Sequence, residues 1–428
     1  MKNNTLLALL CLLGVCLWAG SPVWGEGSPD FRQKLDEFIA IALEQNPGLH
    51  EAQNRINVFK EITPQAGSLD DPMLQFGLMN LPVDTLAFDQ ADMTQKQITL
   101  SQKLPFPGKL GLREGIAAKS TAVSEQSYEG LKLELIRQVK HSFYELCFIL
   151  SALDITRENK TLLEQFISIT ESKYSVGKGL QQDVLKAQVE LSKIMDELIQ
   201  LNRKKETEQA RLNNLMNKLP QEPLSIPHGL QRTAFVRSIE DLQALAEKNS
   251  PFLKELKIHE ERFQLAGELA EREFYPDFNV GVRYGAREDG PRFDRPDFVS
   301  VFVGVNIPLW YKTKQSRKVA EERFRVSQVQ DAYQDRRNRI FLRIKELMDE
   351  QKRATQTLEL IDHGILPQAR QSLEAALAGY SVDKVDFLTL LDNQVTLFRW
   401  QLKYHEELVR HEKVLAEMEQ VVGTGLNP

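Results

Sequence analysis

Cysteine is nearly absent from this sequence. Only three of 428 residues are cysteine, and two of them, Cys11 and Cys16, fall in an apolar amino-terminal stretch. Lys2 precedes that stretch, Leu6 to Trp18 form its apolar core, and Val23-Trp24-Gly25 ends it with small residues near a cleavage site. This is the pattern of a secretory signal peptide over residues 1–25. Val15 argues against a lipidated Cys16, because bacterial lipoproteins place Gly, Ala or Ser before that cysteine. Once the leader is gone, Cys147 stands alone and no intrachain disulfide can form. An exported chain of this kind must be held by packing or by oligomerisation.

Other absences narrow the function. Beyond residue 25 no apolar run approaches the roughly 18 residues of a spanning helix, which leaves strands as the only way into a membrane. No basic block is present: 54 Lys and Arg alternate with 60 Asp and Glu, and loss of Lys2 moves the formal net charge from −6 to −7. A nucleic-acid partner is therefore not expected. The seven histidines (50, 141, 228, 259, 363, 405 and 411) are dispersed, and His405 and His411 lie too far round a helix to share a ligand. No zinc-protease helix, nucleophile elbow or glycine-rich phosphate loop appears. No catalytic residue, metal site or cofactor is expected, and the chain does not read as an enzyme.

What the sequence does contain is a duplication. Asn46-Pro47-Gly48-Leu49 matches Ser250-Pro251-Phe252-Leu253, Pro72 to Gly77 matches Pro276 to Gly281, and Leu104-Pro105 matches Ile307-Pro308. Tyr174-Ser175-Val176 matches Tyr380-Ser381-Val382, and Gln188-Val189 matches Gln394-Val395. The offsets stay between 203 and 206 along the whole chain. Each unit reads as a helix of about 30 residues opened by its proline, a strand pair, then two long helices joined by a short turn. Leu219 to Pro227, with three prolines, is the natural linker, so the units are placed at 26–226 and 227–428.

The strand pairs alternate with period two. Leu74, Phe76 and Leu78 oppose Gln75, Gly77 and Met79, and Ile98, Leu100 and Leu104 oppose Gln97, Thr99, Ser101 and Lys103. In the second unit Phe278, Val280, Val282 and Tyr284 oppose Asn279, Gly281, Arg283 and Gly285. Val299, Val301, Val303, Val305 and Ile307 close that pair. One apolar and one largely polar face suit either a sheet on a soluble core or a membrane barrel that is apolar outward. Four strands cannot close a barrel and open edges are not tolerated in lipid, so the barrel needs copies. Two chains would leave a lumen filled by side chains and three a passage; the polar inner faces favour three.

From Leu112 to Lys173 there is no proline, and Ile136, Val139, Phe143, Leu146, Leu150 and Leu153 recur at a mean spacing near 3.5. Val184, Ala187, Leu191, Ile194, Leu198 and Leu201 continue the rhythm, with Leu212 and Leu215 back in phase after Lys205 and Glu208. Ile340, Ile344, Leu347, Ala354, Leu358, Ile361 and Ile365 repeat it in the second unit, with Gln351 in one slot and a kink expected at Pro367. A seven-residue repeat of this length predicts supercoiled helices of roughly 90 Å, a shaft rather than a compact core.

In order and spacing, Ala42 to Pro47, Leu104 to Lys109, Asp183-Val184-Leu185, Pro276-Asp277-Phe278 and Asn306 to Trp310 resemble the TolC family of outer-membrane export channels. The resemblance covers essentially the whole mature chain. It implies a mainly α fold with long duplicated coiled-coil helices forming a trimeric α-barrel, plus a twelve-stranded transmembrane β-barrel with four strands per chain. It also implies an outer-membrane homotrimer with a large periplasmic portion, working with a periplasmic adaptor and an inner-membrane pump. The corner Pro105 to Lys109 looks like that of channels paired with heavy-metal pumps of the resistance–nodulation–division type, although the mature chain has no Met-rich or His-rich tract.

The resemblance further implies that Val176, Gly177, Lys178 and Gly179, with Val382 and Asp383, form the tip where the adaptor docks. It implies that acids beyond the second turn ring the closed entrance, which Asp392 fits best and Asp386 second. Thr389 stands where the family can carry another acid, so a double ring is not implied. Asp183 and Lys384 are placed to pair across neighbouring turns and hold the tip shut. A periplasmic adaptor is the rival class, but it would carry one coiled-coil hairpin in a β-rich domain rather than a duplication with two strand pairs.

Overall fold

The computed structural model describes residues 29–227, 229–290 and 294–426; the signal peptide and Cys16 lie outside the described residues. The helix expected to open each unit is in fact two. α1 (Pro29–Gln45) stops at Asn46, whose side-chain oxygen accepts from the amides of Gly48 at 2.9 Å and Leu49 at 3.2 Å to start α2 (Pro47–Gly67). Pro47 sits where a helix has no use for an N–H. The Asn46 amide also donates to the carbonyl of Leu215 at 2.9 Å, fixing the bend against a distant helix. In the second unit α5 (Ile239–Asn249) begins with a Ser238/Asp241 capping box, and Pro251 opens α6 (Pro251–Arg272).

The remaining elements repeat in the same order. The first unit continues with β1 (Met73–Met79), β2 (Gln95–Leu104), α3 (Lys109–Ser175) and α4 (Gln181–Leu215). The second continues with β3 (Phe278–Ala286), β4 (Phe298–Val305), α7 (Gln315–Leu360), α8 (Leu366–Ser381) and α9 (Phe387–Val422). The kink expected at Pro367 takes the form of a π turn, Ile361–Ile365, just before it. The wider turn absorbs a ring that would otherwise clash with the preceding helical turn. α3 has 67 residues, and α7, the π turn and α8 have 46, 5 and 16, so the two shafts are equal in length. At 1.5 Å per residue each is about 100 Å long. Between α4 and α5 the described residues hold no helix or strand, and the expected linker falls there.

The heptad stripe of α3 is buried at Val139, Phe143, Leu146 and Leu153 and half-buried at Ile136 and Leu150. Glu208 occupies an apolar slot of α4 and is nevertheless buried, accepting from the Ser142 hydroxyl at 2.6 Å. Two equivalent cores form where short helices meet long ones. Phe31 and Phe38 meet Phe143 edge-on in the first, and Leu242 and Leu253 meet Ile344 and Met418 in the second. A third core, with Phe166, Ala187, Tyr380, Phe387 and Leu390, joins the far ends of the two helical hairpins. Cys147 is buried, and burial pushes its thiol up to about 12, so it is an inert packing residue.

Candidate functional site

The four strands form one antiparallel sheet in the order β1-β2-β3-β4, leaving β1 and β4 as unpaired edges. Its register aligns the alternation across strands. Leu74, Leu100, Val282 and Val301 make one row, and Phe76, Ile98, Tyr284 and Val299 the next. Both rows are exposed, with Phe76 at 70% and Val301 at 75%. On the opposite face Gln75, Thr99, Arg283 and Ser300 share a row, Thr99 is buried, and Arg283 donates to its hydroxyl at 3.1 Å. Phe302 folds over Gly281, where a Cβ would come within 2.2 Å of its ring. The apolar face is thus bare, while the polar face is packed along the central strands, where Thr99, Gly281 and Gly285 are buried, the reverse of a soluble sheet.

The corner beneath the sheet joins the two units. Lys109 is nearly fully buried and donates to the Asp277 carboxylate at 2.7 Å and to the Tyr275 carbonyl at 3.0 Å. Asp277 also accepts the Phe106 amide at 2.9 Å, and Phe106 stacks on Tyr275 at 4.6 Å. Gly108, at φ +91°, makes the turn that aims Lys109 inward, a conformation that glycine adopts without strain.

At the other end of the shaft, α3–α4 and α8–α9 close with the same turn. The amides of Gly177 and Lys178 donate to the carbonyls of Tyr174 and Lys173, and those of Asp383 and Lys384 donate to Tyr380 and Gly379. These are the paired bonds of a Schellman cap, which needs one left-handed residue. Gly177 supplies it at φ +73°, and Asp383 supplies it at φ +60°, where a Cβ is disfavoured. Val176, Gly177, Lys178, Val382 and Asp383 are all exposed at this tip, and Gly179 is half-exposed.

Lys173 joins the two turns. It pairs with Asp383 at 2.5 Å, donates to the Tyr380 carbonyl and lies 4.2 Å over the Tyr380 ring. The pairing holds the Asp383 carboxyl below its ordinary value. Asp386 caps α9, accepting the Thr389 amide at 2.7 Å, and that bond lowers its carboxyl too. Asp183 lies in the first turn of α4, where partial burial raises its carboxyl and the charge of Asp386 raises it further. Asp392 is exposed on α9, one and a half turns beyond the Asp386 cap. Lys384 is exposed, and among the described residues of one chain no ion pair joins it to Asp183. The cation that bridges the turns is Lys173, which sequence reasoning missed: its partner lies 210 positions away, and its repeat counterpart is Gly379. No group of three or more His, Cys, Asp or Glu side chains arranged to hold a metal occurs among the described residues.

Comparison with known proteins bears on these features. Residues 38–218 match the model of a family described as outer membrane efflux protein. The chain resembles that family over those residues. It is similar to the cobalt-zinc-cadmium resistance protein CzcC of Cupriavidus metallidurans, at 21% identity over 91% of this chain and 90% of that protein. Its fold is that of the outer membrane protein VceC of Vibrio cholerae, with a TM-score of 0.78 at 16% identity over 93% of this chain and 98% of the other. The outer membrane channel CmeC of Campylobacter jejuni aligns with a TM-score of 0.75 at 12% identity, covering 100% of this chain and 95% of that one.

Proposed function

We propose that three copies of this chain form a passive duct through the outer membrane and periplasm, linked by a periplasmic adaptor to an inner-membrane pump. One observation carries the reading: the sheet has an exposed apolar face bounded by two open edges. In water such a surface aggregates. In a bilayer the face meets lipid, and β1 of one copy can pair with β4 of the next, so that twelve strands close around a polar lumen. A lone adaptor would have no use for such a face. The duct works without catalysis, as a shaped passage.

Asp392 and Asp386 form the acidic entrance in this reading, and Asp183 pairs with Lys384 of a neighbouring turn when the tip is shut. Val176, Gly177, Lys178, Gly179, Val382 and Asp383 receive the adaptor. Carboxylates gathered round a narrow axis attract cations and repel one another. The likeness to a cobalt-zinc-cadmium resistance protein, and the Pro105 to Lys109 corner, support divalent metal cations as the cargo of the assembled system.

The test is conductance in planar bilayers together with mass in mild detergent. The protein should give discrete channels and a three-chain mass; a stable monomer without channels would overturn the reading. Asp392→Ala should raise single-channel conductance, and unchanged conductance would remove Asp392 from the entrance. Loss of the protein should lower the host's tolerance of zinc, cobalt or cadmium, and unaltered tolerance would exclude those cations as cargo.

A further inference from the structure

The corner after β4 differs from its counterpart. Four residues, Pro105 to Gly108, separate β2 from α3, whereas nine, Asn306 to Lys314, separate β4 from α7. The longer segment carries Ile307, Leu309, Trp310 and Tyr311, all exposed and Trp310 by 74%, and Ile307 extends the outward row of Val301, Val303 and Val305. The segment is wound. The amides of Thr313 and Lys314 donate to the Trp310 carbonyl and that of Ser316 to Tyr311, whose ring lies 6.2 Å from Phe274. Lys312, Lys314 and Arg317 follow, exposed and with no ion-pair partner among the described residues.

Their position is electrostatically unfavourable within the chain. They crowd the start of α7, the positive end of a helix dipole, where the first turn has no acidic residue and Lys314 caps without a side-chain hydrogen bond. Cations placed there are relieved by an anion from outside. In the first unit the equivalent groups are already engaged, since Phe106 stacks on Tyr275 and Lys109 is buried against Asp277.

We infer that residues 307–317 are an anchor for anionic phospholipid headgroups, in the leaflet at the helical end of the sheet. The inference rests on the outer-membrane reading and adds a lipid partner to it. Three features favour lipid as the occupant. The apolar side chains continue the bare sheet face, Trp and Tyr suit a boundary between apolar and wet surroundings, and the cations lie just beyond them, on the helical side. Leu309 and Trp310 lie at the acyl–headgroup boundary, and Lys312, Lys314 and Arg317 meet the phosphates.

Trp310 and Trp400 are the only tryptophans after the leader, so Trp400→Phe leaves Trp310 as a single fluorescent reporter. This variant, lacking only residues 1–25 and reconstituted into vesicles, should be quenched more strongly by brominated phosphatidylglycerol than by brominated phosphatidylcholine at equal mole fraction. Each cation at an anionic surface favours the anionic lipid by about fivefold. Adding Lys312→Gln, Lys314→Gln and Arg317→Gln should retain quenching but bring the ratio to about one. Equal quenching by the two lipids before those changes, or a preference that survives them, would overturn the inference. So would an unquenched Trp310 in vesicles that still conduct, because a protein surface would then cover it. Loss of both quenching and conductance would instead sink the outer-membrane reading itself.

Discussion

The first corner takes four residues and turns inward, burying Lys109 against Asp277; the second takes nine and turns outward, exposing Trp310, Lys312 and Lys314. The two tips diverge on an even smaller scale, with one backbone turn built on Gly177 and on Asp383. Between corner and tip the copies match in length, with 67-residue shafts and return helices of 35 and 36 residues, although only the second shaft carries a π turn. A regular helical wall requires equal staves, so length is held constant along it. Divergence collects at the ends, where the proposed lipid and adaptor contacts lie.

The largest contrast should come at the corners. Lys109→Ala leaves the Asp277 carboxylate partly buried without its partner, which should cost about 3–5 kcal/mol in thermal or denaturant unfolding. Lys312→Ala, at an exposed position, should stay within about 0.5 kcal/mol. Equal losses would erase the distinction between the corners. A smaller contrast is expected at the tips. Gly177→Ala puts a Cβ on a left-handed residue, at about 1–2 kcal/mol, whereas Asp383→Gly relieves that strain while losing the Lys173 pair. Hydrogen exchange around Tyr174 and Tyr380 should therefore rise more in the first variant than in the second.

The smallest contrast is with pH. Asp383 and Asp386 have carboxyls held below the ordinary aspartate value, so their stabilisation is present above that ordinary value and lost as the pH falls through their lowered values. Asp183 has the opposite sign: its raised carboxyl favours the folded tip at low pH, and that contribution fades as the pH rises through its raised value. Acidification should therefore loosen the Tyr380–Asp386 turn before the Tyr174–Leu180 turn, as followed by exchange at each. Simultaneous loosening would show that the charges do not distinguish the two tips.

Much of this architecture was legible in local patterns. Alternation located the strands because adjacent side chains point to opposite faces, and the heptads of Val139, Phe143 and Leu146 located the shaft. The prolines at 47 and 251 marked helix starts, although each also broke an expected helix in two; Asn46 caps the first break with its side chain, a local bond that a mean periodicity overlooks, whereas Ser250 makes no side-chain cap bond. The order Leu74–Leu100–Val282–Val301 across the sheet was not legible, nor was the Lys109–Asp277 pair 168 positions apart, because register and long-range pairing leave no periodic mark. At the tip the turns were found from Gly177 and Asp383, but Lys173 looked like any other solvated helix lysine.

The Lys173–Asp383 bridge limits how the molecule can be simplified. Lys173 and Gly177 correspond in the repeat to Gly379 and Asp383, so the first half keeps the cation and the second the anion. Two identical first halves would offer a lysine and a glycine to their own copies, and two identical second halves a glycine and an aspartate. Neither tandem could make the bond. The halves have become complementary rather than interchangeable, and a ring of six equal half-chains would lack this bridge at every tip.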